Sequence, residues 1–305
     1  MRKIAVIGIG HVGSTVAYTL VNRQLCDQLV LLDKNRQLAD AERNDLMDGA
    51  VGQTGHVAII SSDEQQLASC NVVIFAAGDI SILQHSSDRF AELNYTKTVV
   101  EEWAPKLRNF AGIIINITNP CDVITQYLQE LTGLPKTRVF GTGTTLDTAR
   151  MQNGVAEKLQ VNPNSVVGYV LGEHGNSQFV AWSTVRIASQ SINAMLSQSE
   201  LAAIEKSDQQ SAWHTIQAKG YTSYGIANQA AICAEAVLKD AHQVLTVTNF
   251  AAEANCYAGH PAVVGAAGIL KDFQLELPKA EQQKWQTSIG KIKSMYSTIN
   301  QAAAN

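Results

Sequence analysis

Lys3-Ile-Ala-Val-Ile-Gly-Ile-Gly-His-Val-Gly13 decides the fold. Lys3 to Ile7 is short and almost continuously apolar, the pattern of a strand buried on both faces of a parallel sheet. It runs directly into Gly8-Ile-Gly10-His11-Val12-Gly13, and from Val12 to Gln24 apolar residues recur at helical spacing. A GxGxxG means little alone, but strand, glycine turn and helix in that order give it its context. Gly8 permits the tight turn, Gly10 lets a pyrophosphate approach the backbone, and Gly13 allows close packing of helix on strand. His11 and Val12, inside the turn, are candidate contacts of the same ligand. The N–H groups and dipole of the helix N-terminus favour phosphate there.

Outward from this turn, strands and helices alternate. Leu29 to Asp33, Val57 to Ile60, Asn71 to Ala77, Gly112 to Ile117 and Arg138 to Phe140 read as strands, with a helix over Glu42 to Ala50. The expectation is an α/β fold, a Rossmann-type doubly wound parallel sheet over residues 1–141. Asp33 ends the second strand, twenty residues after Gly13. A carboxylate there accepts hydrogen bonds from ribose hydroxyls and repels a 2′-phosphate, which favours NAD over NADP. Beyond Gly141 the texture changes. Val166 to Leu171, Phe179 to Ile187, Val244 to Asn249 and Ala262 to Val264 read as strands. Glu200 to Ala236 is helical with a break near Gly220, and Lys279 to Ala304 is a closing helix. Residues 142–305 are therefore expected to form an α+β substrate or catalytic domain. Gly78 to Arg89 lacks periodicity and follows a strand's carboxyl end, a place where long connections act as lids.

Composition narrows the function. Apolar residues make up 46% of the 305 residues and charged ones 16%, enough for a large core and unlike a disordered chain. A net charge of −4 with no basic cluster argues against nucleic acid as a partner. No apolar run is long enough to cross a bilayer, so no membrane partner is expected, and the first ten residues read as strand and turn rather than a signal peptide. The five cysteines are scattered and never form a CxxC, which points away from disulfides and metal sites and towards a reducing cytoplasm. Cys121 reads as a small core hydrophobe rather than a nucleophile.

Three further segments carry chemistry: Leu146-Asp147-Thr-Ala-Arg150 in a predicted helix, Gly172-Glu-His174-Gly after a strand, and Ile117-Thr-Asn119-Pro120 at the end of another. With the amino-terminal turn and GYTSYGIA (residues 220–227), they resemble the L-lactate/L-malate dehydrogenase family over nearly the whole chain. The resemblance implies an NAD-dependent L-2-hydroxyacid dehydrogenase that reduces 2-oxo acids. It makes His174 the general acid–base, the residue type that titrates near neutrality. Asp147 would orient its imidazole, as an acid does in hydrolase triads. Arg150, on the same helix face, would grip the substrate carboxylate bidentately. Arg89, at the end of the lid, would polarise the C2 carbonyl. Asn119 would bind substrate or nicotinamide, Thr222 would face the substrate side chain, and Gly78 and Ile226 would contact the cofactor. The Asn119–Pro120 bond is a candidate for the cis form.

The lid departs from the family. GDISILQHSSDR (residues 78–89) is about two residues longer than usual, without Pro-Gly or a second arginine, although Gln84 lies close to the position of the lactate-type glutamine. Ile80, Ile82 and Leu83 suggest a roomier apolar pocket, so medium or branched aliphatic side chains of the L-2-hydroxyisocaproate type are expected. L-lactate dehydrogenase is the alternative, and a catalytically silent NAD(H)-sensing protein is a third reading. Gln152 and Val167 stand where sugar-phosphate-activated enzymes carry Arg and His, so no such activation is expected. A homo-oligomer, dimer or tetramer, is the family's habit and the default for soluble enzymes.

Overall fold

The computed structural model describes residues 1–78 and 89–302. Strands β1 (Lys3–Ile7), β2 (Gln28–Leu32), β3 (Ala58–Ser61), β4 (Val72–Phe75), β5 (Ile113–Asn116) and β6 (Val139–Gly141) pair in parallel. The spatial order is β3-β2-β1-β4-β5-β6. Strand order reverses between β1 and β4, and in open α/β sheets the crevice outside the strand ends at that point takes ligands. The intervening helices are α1 (His11–Asn22), α2 (Arg36–Gly49), α3 (Arg89–Leu107) and α4 (Cys121–Thr132).

Continuous apolar runs follow from burial of both sheet faces. In β1, Ala5 and Ile7 enter one core with Phe75 of β4 and Leu93, Val100 and Trp103 of α3. Ile4 and Val6 enter the other with Val16 and Leu20 of α1. That second core also takes Ala227, Ala230, Ala231 and Ala234 of α7 (Tyr224–Leu238), an alanine-rich face that packs against α1.

The sheet does not stop at residue 141. β12 (Gln243–Ala251) joins β6 in antiparallel fashion, and β13 (Cys256–Gly265) and β14 (Gly268–Asp272) extend it to nine strands. Around this extension lie α5 (Thr145–Leu159), α6 (Gln198–Lys219) and α8 (Lys279–Ala302). Four of the predicted features need correction. The helix expected to start at Glu42 starts at Arg36, capped by Asn35, whose side chain accepts from the Leu38 N–H. Val166 to Leu171 is two short strands, β7 (Val166–Val167) and β8 (Val170–Leu171), in different small sheets. The chain turns between them at Gly168, whose φ of +148° suits glycine and where a Cβ would lie 2.6 Å from Val185 Cγ2. Phe179 to Ile187 likewise divides into β9 (Phe179–Val180) and β10 (Arg186–Ile187), the latter paired with β11 (Gln190–Ser191). β13 is longer than the Ala262 to Val264 expected, and α3, α4, β11 and β14 were not anticipated. All five cysteines are buried free thiols. Among the described residues, no helix is long and apolar enough to cross a membrane.

Candidate active site

The crevice at the end of β1 and β4 opens into a chamber of about 970 Å³, walled by both halves of the chain. Its nucleotide side is built on the glycine turn. Gly8 has φ +88°, and a Cβ there would lie 2.6 Å from Ala77 Cα. A Cβ on Gly13 would lie 1.8 Å from the Gly8 carbonyl oxygen, so only glycine lets α1 sit this close to the turn. Gly10 differs: nothing lies within 4 Å of its Cβ position. That open space at a helix N-cap lacking a side-chain acceptor is the room a pyrophosphate needs. Asp33 is fixed at the crevice edge, its Oδ2 accepting from the Ile9 N–H and its Oδ1 from the Asn35 N–H, each at 2.8 Å. The ammonium of Lys34 donates to the Tyr95 hydroxyl at 2.9 Å. These residues fit a dinucleotide with a free 2′-hydroxyl. His11, Val12, Gly78, Asn119 and Ile226 line the chamber with Gly8, Gly10 and Asp33, whereas Gly13 supports the turn from behind.

On the far side, α5 and the loop after β8 bring the charged groups together. Asp147, in the first turn of α5, is buried. Its Oδ2 lies 2.6 Å from His174 Nδ1 and its Oδ1 accepts from Arg150 Nη1 at 2.9 Å. An ionised carboxylate only accepts, so Nδ1 carries the proton and Nε2 is the ring's exchangeable position. Burial would raise the Asp147 carboxyl. The opposing charge and hydrogen bond of His174, the charge of Arg150 and a hydrogen bond from Gln178 outweigh it and hold the group below the usual carboxylate range. Arg150 and His174 both line the chamber, as does Thr222 in the connection between α6 and α7. His11 stacks face to face on Tyr221, centroids 3.8 Å apart, tying the glycine turn to this connection.

Sequence reasoning missed three residues here. Asp122, in the first turn of α4 just after the cis Asn119–Pro120 bond, is buried, and accepts the His174 backbone N–H at 2.7 Å and the Thr248 hydroxyl. Burial pushes its carboxyl up to about 6, against the hydrogen bonds from Thr248 and the His174 N–H. Asp208 and Trp213 of α6 also face the chamber. For Asp122, the NPxD run at residues 119–122 was the one available signal. Cys121 is buried with its thiol pushed up to about 12 by burial, which removes it as a nucleophile. Arg89 begins α3, but its side chain and lid residues 79–88, with Ile80, Ile82, Leu83 and Gln84, lie outside the described residues. Among the described residues, no group of three or more His, Cys, Asp or Glu side chains could hold a metal ion.

A dinucleotide cradle facing an imidazole–carboxylate pair and a half-buried guanidinium is the equipment of an oxidoreductase acting on a small acid. Comparison with known proteins agrees. Residues 2–141 match the lactate/malate dehydrogenase NAD binding domain, and residues 144–303 match the lactate/malate dehydrogenase alpha/beta C-terminal domain. L-lactate dehydrogenase 2 of Enterococcus faecalis is 30% identical over 98% of this chain and 97% of its own length. L-lactate dehydrogenase 1 of Lactococcus lactis is 33% identical over 96% of this chain and 93% of its own. The crystal structure of the minor L-lactate dehydrogenase from Enterococcus mundtii in a ligand-bound form superposes with a TM-score of 0.93 at 30% identity, covering 97% of this chain and 98% of that one. The chain belongs to the lactate/malate dehydrogenase family, and NAD is its cofactor.

Proposed function

We propose that this enzyme is an NAD-dependent L-2-hydroxyacid dehydrogenase that reduces 2-oxo acids with medium or branched aliphatic side chains. The observation that carries the reaction type is the Asp147 carboxylate joined to both His174 and Arg150 on the chamber wall. When bound, NAD supplies the two-electron redox chemistry at C2 of the substrate. The protein's own task is to bind, orient and move one proton. Arg150 commits Nη1 to Asp147, and the remaining donors of its fork suit a substrate carboxylate. A substrate held there presents its C2 oxygen to His174, whose Nε2–H donates the proton as the oxygen becomes a hydroxyl. Asp147 keeps the ring in that tautomer and stabilises its charged form, while Asp122 fixes the backbone that carries it. Asn119, Thr222 and Ile226 complete the walls for substrate and nicotinamide, and the family resemblance gives carbonyl polarisation to Arg89.

The side-chain preference is supported by the lid sequence and by the apolar surfaces of Trp213 and Ile216 in the chamber. A second reading, L-lactate dehydrogenase, is supported by the names of the relatives. NADH oxidation with a panel running from pyruvate to 4-methyl-2-oxopentanoate separates the two. We expect the highest kcat/KM at the longer or branched end; strong preference for pyruvate would assign the chain to lactate instead. No oxidation with any 2-oxo acid would leave the NAD(H)-sensing reading. The same proposal includes a nucleotide domain to residue 141 and a substrate domain from 142, a homo-oligomer, and a cytoplasmic setting supported by five unpaired thiols.

A further inference from the structure

Asp208 brings a second carboxyl group into the substrate chamber. It lies on α6 and lines the same cavity as Arg150, Thr222 and His174. α6 approaches α5 at Gly154, where a Cβ would come within 2.8 Å of Ile204 Cγ2 and 3.4 Å of Asp208 Oδ1. Gly154 is one turn along α5 from Arg150, so the carboxyl sits beside the guanidinium's helix. Its Oδ2 is shielded from solvent and has no hydrogen-bond partner among the described residues. Among the described residues Asp208 has no ion-pair partner; the Nη1 of Arg150 is bonded to Asp147 instead. From α5, Arg150 attracts Asp208 and Asp147 repels it; from α6 itself, Glu205 repels it. Glu205 is in turn held by the Val180 N–H, the Trp182 indole and Lys284 of α8. Burial is the largest influence and pushes the Asp208 carboxyl up to about 7.

We propose that Asp208 is a specificity-determining residue that restricts the chamber to 2-oxo acids carrying a single negative charge. Counting the charge that the proposed mechanism gives to Arg89, the cations Arg150, Arg89 and protonated His174 balance Asp147, an ionised Asp208 and one substrate carboxylate. A second carboxylate on the substrate is then uncompensated, which a chamber of lowered dielectric penalises, and protonation of Asp208 relieves that penalty. Monocarboxylates are therefore accepted and dicarboxylates turned away, most strongly when Asp208 is ionised.

The inference rests on the oxo-acid reading above. Its test is the ratio of kcat/KM for 4-methyl-2-oxopentanoate or pyruvate, whichever is turned over faster, to that for oxaloacetate. The wild type and Asp208→Asn are compared at about pH 6 and about pH 8. Protonation of His174 enters numerator and denominator alike and cancels. In Asp208→Asn at pH 8 the ratio falls by about tenfold or more, with the change carried by KM. The wild type alone gives a second readout: its ratio narrows on going from pH 8 to pH 6, and this narrowing is lost in the variant. An active wild type whose ratio is the same at both pH values and unaltered by the substitution overturns the role of Asp208 and leaves the dehydrogenase reading intact. A wild type that reduces no 2-oxo acid overturns both.

Discussion

Asp147 uses its two oxygens on two different groups, an imidazole and a guanidinium, and this shared attachment fixes the distance between the proton donor and the carboxylate grip. Asp147→Asn keeps the shape but removes the charge that stabilises the imidazolium. We expect kcat to fall by about 10²–10⁴-fold, with NADH affinity retained in a fluorescence titration; a loss of less than about tenfold would contradict the assigned role. Asp208 makes a prediction that needs no substrate. Its carboxyl is raised in the folded protein, so between about pH 4 and 7 the folded state holds a proton that the unfolded chain has released. Stability from this group is thus complete at acid pH and lost as pH rises through 7. Asp208→Asn removes the titration. Relative to the wild type, the variant gains about 1–2 kcal/mol in urea denaturation between about pH 5 and 8. A constant difference across that range would show that Asp208 ionises normally.

At the scale of one element, the turn between β1 and α1 separates fold from ligand. Gly8→Ala forces a positive φ and a Cβ against the Ala77 backbone, and should destabilise the protein by about 2–4 kcal/mol. Gly10→Ala meets nothing in the protein and has ordinary backbone angles, φ −74° and ψ −166°. It should leave the Tm within about 2 °C while raising the NADH Kd about tenfold or more; an unaltered Kd would move the pyrophosphate elsewhere. This element was legible in the sequence because a continuous apolar run, the glycine spacing and a helix period follow one another without a break from Lys3 to Gln24. Other elements gave mixed signals. Val166 to Leu171 is continuously β-prone apart from one glycine, and only contact with Val185 reveals that Gly168 turns the chain. β14 offers five residues, three of them partly or fully exposed, too little pattern to mark a strand. α3 carries Leu93, Val100 and Trp103 inward, but Pro105 and a weak polar face blur its period. In the site, motif residues were visible because the family fixes their spacing. Asp122 and Asp208 were not, because their roles come from burial and from neighbours 52 residues (His174) and 58 residues (Arg150) distant in the chain.

For the whole molecule, the boundary proposed at residue 141 is one of function more than of folding. β6 hydrogen-bonds to β12 across it, and a single apolar core contains Ile4 and Leu29 together with Ala230, Val247 and Ala262. The two halves should therefore unfold together, with fluorescence and circular dichroism giving coincident urea transitions; two separated transitions would show that the substrate half has its own stability. The five cysteines follow the same logic. Each is buried, and burial raises the affinity of every one of these thiols for its proton. Because they are spread from residue 26 to residue 256, an alkylating reagent has nothing to react with until some region opens, and the order in which they label would map which parts of the molecule breathe first.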